Sequence, residues 1–188
     1  MLGWEELIKE CNSCKRCELG SSRTNIVIGR GNENAPMMLI GEGPGEQEDF
    51  QGLPFVGPAG KLLDLLLEAL SIKEDEYYIA NIVKCRPPAN RIPLDEEAKK
   101  CLPLLRNQVA LIKPKIIVCL GNTAMKYIVD KDAKITKMHG QWIEKRGYWI
   151  MPTFHPAALL RDESKKMLVW EDFKKVKQRL VSLKGQLL

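Results

Sequence analysis

The sequence predicts a three-layer αβα fold of the α/β class, in which helices cover both faces of a central four-stranded parallel sheet. Four short apolar segments are predicted strands, and a predicted helix follows each of them along the chain. Because parallel strands need long crossover connections, this alternation favours a parallel sheet that is buried on both faces. The predicted strands are residues 36–40, 77–83, 115–120 and 148–154.

The first half of the chain contributes two of these strands and the helix between them. Strand 36–40 is apolar and ends at the glycine-rich segment Gly41–Gly45. Leucines on all sides of residues 61–70 predict a well-buried helix, which begins at the Gly-Pro-Ala-Gly turn 57–60. Residues 77–83 are rich in β-branched and aromatic side chains, which favour the second strand.

The second half repeats the alternation, and the N-terminus adds a short predicted helix at residues 4–10. Asp95 is predicted to cap a helix that runs to residue 112, since aspartate accepts hydrogen bonds from unpaired N–H groups. Strand 115–120 ends at Gly121-Asn122-Thr123, which is predicted to open another helix. Residues 170–183 are predicted to form the last helix.

Length, charge and composition narrow the class of protein. The 188 residues contain no repeat and no linker long enough to separate two domains, so we expect residues 1–188 to form one domain. No apolar stretch reaches the length needed to span a membrane. A net charge of +5 permits a polyanionic partner but does not require one. Only two histidines are present, which leaves few candidates for acid–base chemistry.

Four of the six cysteines have a spacing that predicts a metal or cluster site. Two form a Cys-x-x-Cys pair near the N-terminus, and two lie at a predicted loop and helix in mid-chain. Either a structural zinc ion or an iron–sulfur cluster fits soft thiolate ligands, and the spacing does not decide between them. Disulfides are the alternative, but no signal peptide precedes the first pair, so we expect a reducing cytoplasm. The four residues are Cys14, Cys17, Cys85 and Cys101, with Cys11 and Cys119 left over.

The predicted sheet brings candidate ligand-binding segments to one edge, because ligands of open α/β sheets bind at the carboxyl ends of the strands. Those ends carry Gly41–Gly45, the amide of Asn81 and the imidazole of His155. Each also has a structural interpretation: a tight turn, a satisfied buried amide and a packed histidine. Phe55 is equally consistent with an ordinary core residue, and His139 has no neighbouring group that indicates a site.

Four longer motifs occur in order along the chain: Gly41–Asp49, Pro54–Gly57, Asn81–Pro88 and Phe154–Arg161. Together they resemble the family 4 uracil-DNA glycosylases, the iron–sulfur enzymes of bacteria and archaea within the uracil-DNA glycosylase superfamily. The resemblance covers nearly the whole chain, and the four cysteines match the family's ligands to a 4Fe–4S cluster. The Gly-Glu-Gly-Pro-Gly form of the first motif separates the chain from family 5. Residues 86–93 lack the basic, histidine-containing insertion of the relatives that trap DNA covalently, so no covalent adduct is expected.

The resemblance implies how a uracil base would be recognised. The nucleotide would be flipped out of the DNA into a pocket, because a stacked base cannot be attacked. Phe55 would stack on the ring, while Asn81 would donate to O4 and accept from N3–H, a pattern that cytosine reverses. Glu48 would lie near C5 and help to exclude the methyl group of thymine. Backbone N–H groups would hold the O2 side, at Gly41, Glu42 and Gly43.

The resemblance also assigns the chemistry of bond cleavage. His155 would donate to O2 as the uracil anion leaves, and a well-placed donor of this kind contributes about 3 kcal/mol. The water-activating aspartate of the best-known branch of the superfamily falls on Gly43 here, as it does in family 4. We therefore expect leaving-group stabilisation to carry more of the rate, with water positioned by backbone groups or by Glu42.

DNA contacts and partners follow from the same resemblance. Leu159 is expected to fill the gap left by the flipped base, with ordinary packing as the alternative. Lys61 and Arg161 are expected to hold phosphates. We expect a monomeric, cytoplasmic, nucleoid-associated protein of a bacterium or archaeon that acts on uracil in double- and single-stranded DNA and releases free uracil. A sliding clamp stays open as a further partner.

Two other classes of protein stay open. The first is an iron–sulfur electron-transfer or binding module without catalysis, against which the presence of Asn81 and His155 argues. The second is a relative that removes another damaged base, such as hypoxanthine or a mismatched thymine. Glu48 and Asn81 favour uracil over these bases.

Overall fold

The computed structural model describes residues 2–185 and confirms a central parallel sheet flanked by helices. Its strands are β1 (Arg30–Gly31), β2 (Met37–Gly41), β3 (Tyr77–Asn81), β4 (Ile116–Leu120), β5 (Ile143–Lys145) and β6 (Tyr148–Thr153). Their order is β1-β3-β2-β4-β6-β5, and the central four are parallel, as the sequence predicts. The edge strands β1 and β5 pair antiparallel with their neighbours and are absent from the prediction.

The helices of residues 2–185 include every helix that the sequence predicts and several short additional ones. They are α1 (Trp4–Asn12), α2 (Leu19–Ser22), α3 (Glu46–Gln51), α4 (Pro58–Ala69), α5 (Asp95–Ile112), α6 (Asn122–Ile128), α7 (Ile135–Met138), α8 (Pro156–Leu159) and α9 (Lys165–Gly185). Short 3-10 turns lie at Glu74–Glu76 and Pro88–Asn90. Among these described helices, none has both the length and the apolar character needed to cross a membrane.

The role predicted for Asp95 as a helix cap is wrong. Leu94 precedes the first turn of α5, and its N–H donates to the carboxylate of Glu97 at 2.8 Å. Asp95 instead accepts hydrogen bonds from Lys126 and Tyr127 of α6, at 2.6 and 2.7 Å. Glu97 therefore caps the helix to which it belongs, and Asp95 links α5 to α6.

The register of the central strands sets their carboxyl ends side by side. Gly41 of β2 pairs with Asn81 of β3, and Leu120 of β4 pairs with Thr153 of β6. Every residue of β2, β3 and β4 is buried, as expected for parallel strands covered on both faces. The glycine-rich loop, Asn81 and the chain that follows Thr153 therefore meet at one edge of the sheet.

The N-terminal segment is joined to the rest of the domain by contacts between protein groups. The backbone of Leu2 exchanges two hydrogen bonds with the amide of Asn107, at 3.0 and 3.1 Å. Leu7 and Cys11 of α1 are buried in the main core. These contacts hold α1 against α5 independently of any ligand at the cysteines.

Candidate active site and cysteine cavity

A cleft of about 210 Å³ opens at the carboxyl ends of the central strands. Its lining includes six of the residues predicted to contact a base: Glu42, Gly43, Glu48, Phe55, Asn81 and His155. Gly41 packs beside two of them, since a Cβ there would lie 2.5 Å from Asn81 Oδ1 and 2.7 Å from Phe55 Cζ. A side chain at position 41 would therefore displace both the amide and the ring.

Phe55 is fixed in the cleft by its own backbone. Its φ of 56° is unusual for a residue other than glycine, and a Cβ on Gly60 would lie 1.9 Å from its carbonyl oxygen. Arg30 donates to the carbonyls of Pro54 and Phe55, at 3.0 and 3.4 Å. These contacts place the ring 5.5 Å from the imidazole of His155, measured between centroids.

Glu48 organises the loops around the cleft. Its carboxylate accepts the N–H groups of Val56 and Gly57 at 2.9 and 2.8 Å, and that of Gly45 at 3.1 Å. The side chain therefore joins the glycine-rich loop to the start of α4. The contact of Glu48 with C5 of a base stays a prediction. The N–H groups of Val56 and Gly57 already donate to the carboxylate of Glu48.

Asn81 presents an unpaired donor to the cleft. The residue is 2% exposed, and its Nδ2 is a buried side-chain nitrogen without a hydrogen-bond partner among residues 2–185. Buried polar groups nearly always have partners, because leaving one unpaired costs about 1–3 kcal/mol. Such a donor fits an acceptor that is supplied by a ligand.

His155 lies on the N-terminal side of α8 with its protonation defined by the backbone. Its Nδ1 accepts the N–H of Ala157 at 3.1 Å, so in the neutral ring the proton is on Nε2. Burial, followed by the charge of Arg161, lowers the pKa of His155 to about 4, against an opposing influence of Glu48. At neutral pH the side chain is therefore an uncharged Nε2–H donor.

Glu42 is held by a residue that the sequence analysis did not single out. Thr123, 8% exposed in the first turn of α6, donates its hydroxyl to Oε2 of Glu42. The Gly-Asn-Thr segment was expected to open a helix, and the helix places this hydroxyl opposite the glycine-rich loop. One carboxylate oxygen of Glu42 is thus engaged within the protein.

Gly43 leaves no room for a larger residue. A Cβ at this position would lie 2.7 Å from Cγ2 of Val83, which is 1% exposed. The aspartate that the best-known branch of the superfamily carries here could therefore enter only if Val83 moved.

Residues of the loop before α5 also line the cleft and were not predicted there, namely Asn90 and Arg91. Asn90 has a φ of 54°, and its Oδ1 accepts from Arg86 at 2.8 Å. Arg91 forms a bidentate pair with Glu97 at 2.8 and 2.6 Å. The Pro-Pro-Ala-Asn turn is the sequence signal that could have placed this loop at the site.

His139, at which the sequence indicates no site, belongs to a buried cluster of polar side chains. Its Nδ1 lies 3.2 Å from Oδ2 of Asp172 in α9, and the same oxygen accepts from Thr153 at 2.7 Å. Asp172 is 2% exposed, and burial raises the pKa of its carboxyl. This cluster ties α9 to the end of β6, two residues before His155.

The three predicted DNA contacts differ in accessibility. Lys61 in α4 and Arg161 after α8 are exposed, as a phosphate contact requires. Leu159 is only 4% exposed and packs in the core, which favours the alternative of ordinary packing over its prediction as the residue that enters the DNA. Its neighbour Leu160 is 53% exposed and is the leucine of this segment that solvent can reach.

The four predicted ligand cysteines line one small cavity, although two come from the N-terminal segment and two from mid-chain: Cys14, Cys17, Cys85 and Cys101. All are free thiols, so the disulfide alternative is not borne out. Burial raises the pKa of Cys101 to about 12, and a bound cation would replace its proton. Among residues 2–185 no group of three or more His, Cys, Asp or Glu side chains forms a site for a metal ion.

Hydrogen-bond donors point at two of these sulfurs. Arg23 donates to Sγ of Cys85 at 3.2 Å, and the backbone N–H of Lys84 lies 3.3 Å from Sγ of Cys101. Such donors stabilise negative charge on sulfur. The environment of the cavity therefore fits thiolate ligands.

Comparison with known proteins defines first the class of protein and then the family. A sequence model of the uracil DNA glycosylase superfamily matches residues 28–177, which excludes the first cysteine pair. The chain is 45% identical to the Type-4 uracil-DNA glycosylase of Thermotoga maritima, over 92% of each protein. It is 43% identical to that of Sulfurisphaera tokodaii, over 96% of this chain and 86% of the relative. Identity to the Type-5 enzyme of Pyrobaculum aerophilum is 27%, over 84% of each. The chain belongs to the uracil-DNA glycosylase superfamily and, within it, to the type-4 family.

Proposed function

We propose that this protein is a uracil-DNA glycosylase, which hydrolyses the N-glycosidic bond of a flipped deoxyuridine and leaves an abasic site for base excision repair. The observation that carries the proposal is the cleft itself: an unpaired Nδ2 donor of Asn81 beside the ring of Phe55 and a neutral His155. The high identity to Type-4 enzymes over most of the chain supports the same substrate.

Base selection rests on the amide of Asn81. Its Nδ2 is free to donate to O4 of uracil, and its Oδ1 can accept from N3–H. Cytosine offers a donor and an acceptor in the opposite order, which would leave the amide mispaired in a buried position. Phe55 supplies an apolar face for the ring, and such stacking is worth about 1–3 kcal/mol per base.

Bond cleavage rests on His155. As the bond between the base and the sugar lengthens, negative charge develops on uracil O2 and positive charge on the sugar. The Nε2–H of the neutral imidazole donates to that oxygen, while Ala157 holds the opposite nitrogen. A preorganised donor is most effective in a site with little water, because its dipole need not reorient as charge develops.

Water capture is assigned to Glu42. Thr123 engages one of its carboxylate oxygens, which leaves the other to orient a water molecule toward the cation-like sugar. Gly43 carries no side chain that could share the task. We expect stabilisation of the leaving uracil to contribute more to the rate than activation of water, since a loosely held water molecule can still capture such a sugar.

A 4Fe–4S cluster is assigned to the cysteine cavity. Four thiols from two distant parts of the chain line one cavity, and the resemblance of the motifs to the family 4 enzymes favours a cluster over a zinc ion. When bound, the cluster supplies a rigid, soft-ligand cross-link between the N-terminal segment and the loop that leads to Arg86. Cys14, Cys17, Cys85 and Cys101 would hold it, and no reaction step passes through it.

The decisive experiment is incubation of the purified protein with a labelled oligonucleotide that contains one uracil, followed by alkali to cut abasic sites. We expect cleavage at the uracil in both single-stranded and duplex DNA. Matched oligonucleotides with thymine, cytosine or hypoxanthine in its place serve as controls. Cleavage of the hypoxanthine oligonucleotide without cleavage at uracil would assign the protein to another damaged base.

A further inference from the structure

Lys84 is a lysine without any exposed surface, and it lies between the two candidate sites. It is 0% exposed in the segment that connects Asn81 at the end of β3 to Cys85. Its Nζ donates to the carbonyl of Asn81 at 3.0 Å and to Oε1 of Gln108 in α5 at 2.5 Å. Both partners are neutral, and no carboxylate among residues 2–185 forms an ion pair with Lys84.

Burial of an ammonium group is unfavourable unless negative charge lies nearby. Lys84 lines the cavity of the four cysteines, so the nearby groups that can carry such charge are their sulfurs. Its own backbone N–H also points at Sγ of Cys101. A lysine in this position is therefore suited to a site whose sulfurs are thiolates.

The same ammonium reaches the residue that reads the base. It holds the main chain of Asn81, whose side chain carries the unpaired donor of the cleft. Through Gln108 it also holds α5, the helix that supplies Cys101, and Gln108 in turn donates to the carbonyl of Ile28 at 3.0 Å. The position of the Asn81 backbone thus depends on a group that faces the thiolates.

We propose that Lys84 is a positioning residue that couples the cysteine site to uracil recognition, by balancing the charge of the thiolates and fixing the backbone of Asn81. The second half of this proposal, the effect on uracil recognition, rests on the proposed function. Its first half concerns the cysteine site alone and does not require glycosylase activity.

The test is Lys84→Met, which keeps an unbranched side chain one atom shorter and removes its charge and its hydrogen bonds. We expect iron to be lost to a chelator about 10- to 100-fold faster, and single-turnover uracil excision to fall by about the same factor, as is usual when an outer-shell partner of a metal ligand is removed. Affinity for an oligonucleotide without uracil should not change. The iron measurement is made by visible absorbance and needs no activity.

Lys145→Met is the matched control, because Lys145 donates to the carbonyls of Ile128 and Val129 and contacts neither site. Equal losses of iron and of rate in the two variants, at similar melting temperatures, would reduce the effect to general loosening and overturn the proposal. So would wild-type behaviour of Lys84→Met. If Lys84→Met does not fold, Gln108→Met removes the partner of the same ammonium, and an unchanged iron loss and rate there would equally overturn it. Absence of uracil excision in the wild type, with accelerated iron loss in Lys84→Met, would reject the proposed function alone.

Discussion

The hydroxyl of Thr123 donates a hydrogen bond to the carboxylate of Glu42, across the carboxyl ends of the strands β2 and β4. The two residues are 81 positions apart in sequence. The contact fixes one oxygen of an acidic side chain that lines the cleft. It therefore holds in place the carboxylate to which we assign the orientation of water.

The first prediction concerns this pair. Thr123→Val removes the hydroxyl at nearly constant volume, and we expect the single-turnover rate of uracil excision to fall a few-fold through misplacement of Glu42. Glu42→Ala should cost more than this and less than His155→Ala, for which we expect a loss of about a hundredfold or more. The double variant should be no slower than Glu42→Ala. If the rate losses of the two single variants add up in the double variant, Thr123 acts independently of Glu42. If Glu42→Ala lowers the rate more than His155→Ala does, Glu42 is a true general base.

The second prediction concerns pH. Because burial lowers the pKa of His155 to about 4, the neutral donor persists well below the usual value of 6.5. We expect the single-turnover rate to hold as the pH drops to about 5 and to fall as His155 is protonated near 4. The unfolded chain takes up this proton near pH 6.5, so the stability contributed by the neutral ring is lost progressively between about pH 6.5 and 4.

The controls for this pH profile are Glu42→Gln and Glu48→Gln, which remove the two carboxylates that line the cleft. If the fall near pH 4 persists in both variants, it belongs to His155. A rate that rises as the pH drops from 6 to 4 would instead indicate that the imidazolium is the active form.

The third prediction concerns base selection. We expect Asn81→Asp to weaken uracil excision and to gain some activity on cytosine, since a protonated or re-paired carboxyl can suit the N4 amino group. Asn81→Ala should be slow on every base. Oligonucleotides with a single uracil or cytosine, assayed at saturating enzyme, provide the measurement. A wild-type rate for Asn81→Ala would make Asn81 a structural residue and place the reading of the base elsewhere.

The fourth prediction concerns the cysteines. We expect the protein purified in air to be brown, with about four iron atoms and four sulfides per chain, as a single 4Fe–4S cluster requires. Cys85→Ala should lose the colour and lower the melting temperature, because the cluster joins distant segments. Cys119→Ala is the matched control, since Cys119 is equally buried but lies in β4, away from the cavity. Colourless protein with one equivalent of zinc would reject the cluster.

The fifth prediction separates the two leucines after His155. Leu160→Ala should slow excision from duplex DNA and spare single-stranded DNA, because an exposed apolar side chain can occupy the gap only where a base has left a stack. Leu159→Ala should instead lower stability by about 2–5 kcal/mol, as a buried leucine does. Single-turnover rates on both substrates and thermal melting measure the two effects. An equal response of Leu160→Ala on the two substrates would exclude it from holding the duplex open.

Part of this site could be predicted because its signals are local. The central strands are continuous apolar runs, so their parallel order and the edge where ligands bind follow from the alternation with helices. The edge strands could not be predicted, since Arg30–Gly31 and Ile143–Lys145 are too short to carry a pattern. The pairing of His139 with Asp172 was missed because its members lie 33 residues apart.

The sequence by itself determined the types of residue at the site: the four cysteines, the amide of Asn81 and the imidazole of His155. The tertiary structure alone decided the protonation, the hydrogen bonding and the burial of side chains at the site. It put the proton of His155 on Nε2, left Nδ2 of Asn81 unpaired, buried Leu159 rather than Leu160 and enclosed Lys84 between the two sites. These outcomes depend on burial and on partners from distant parts of the chain, because hydrogen bonds and desolvation act through space and not along the sequence.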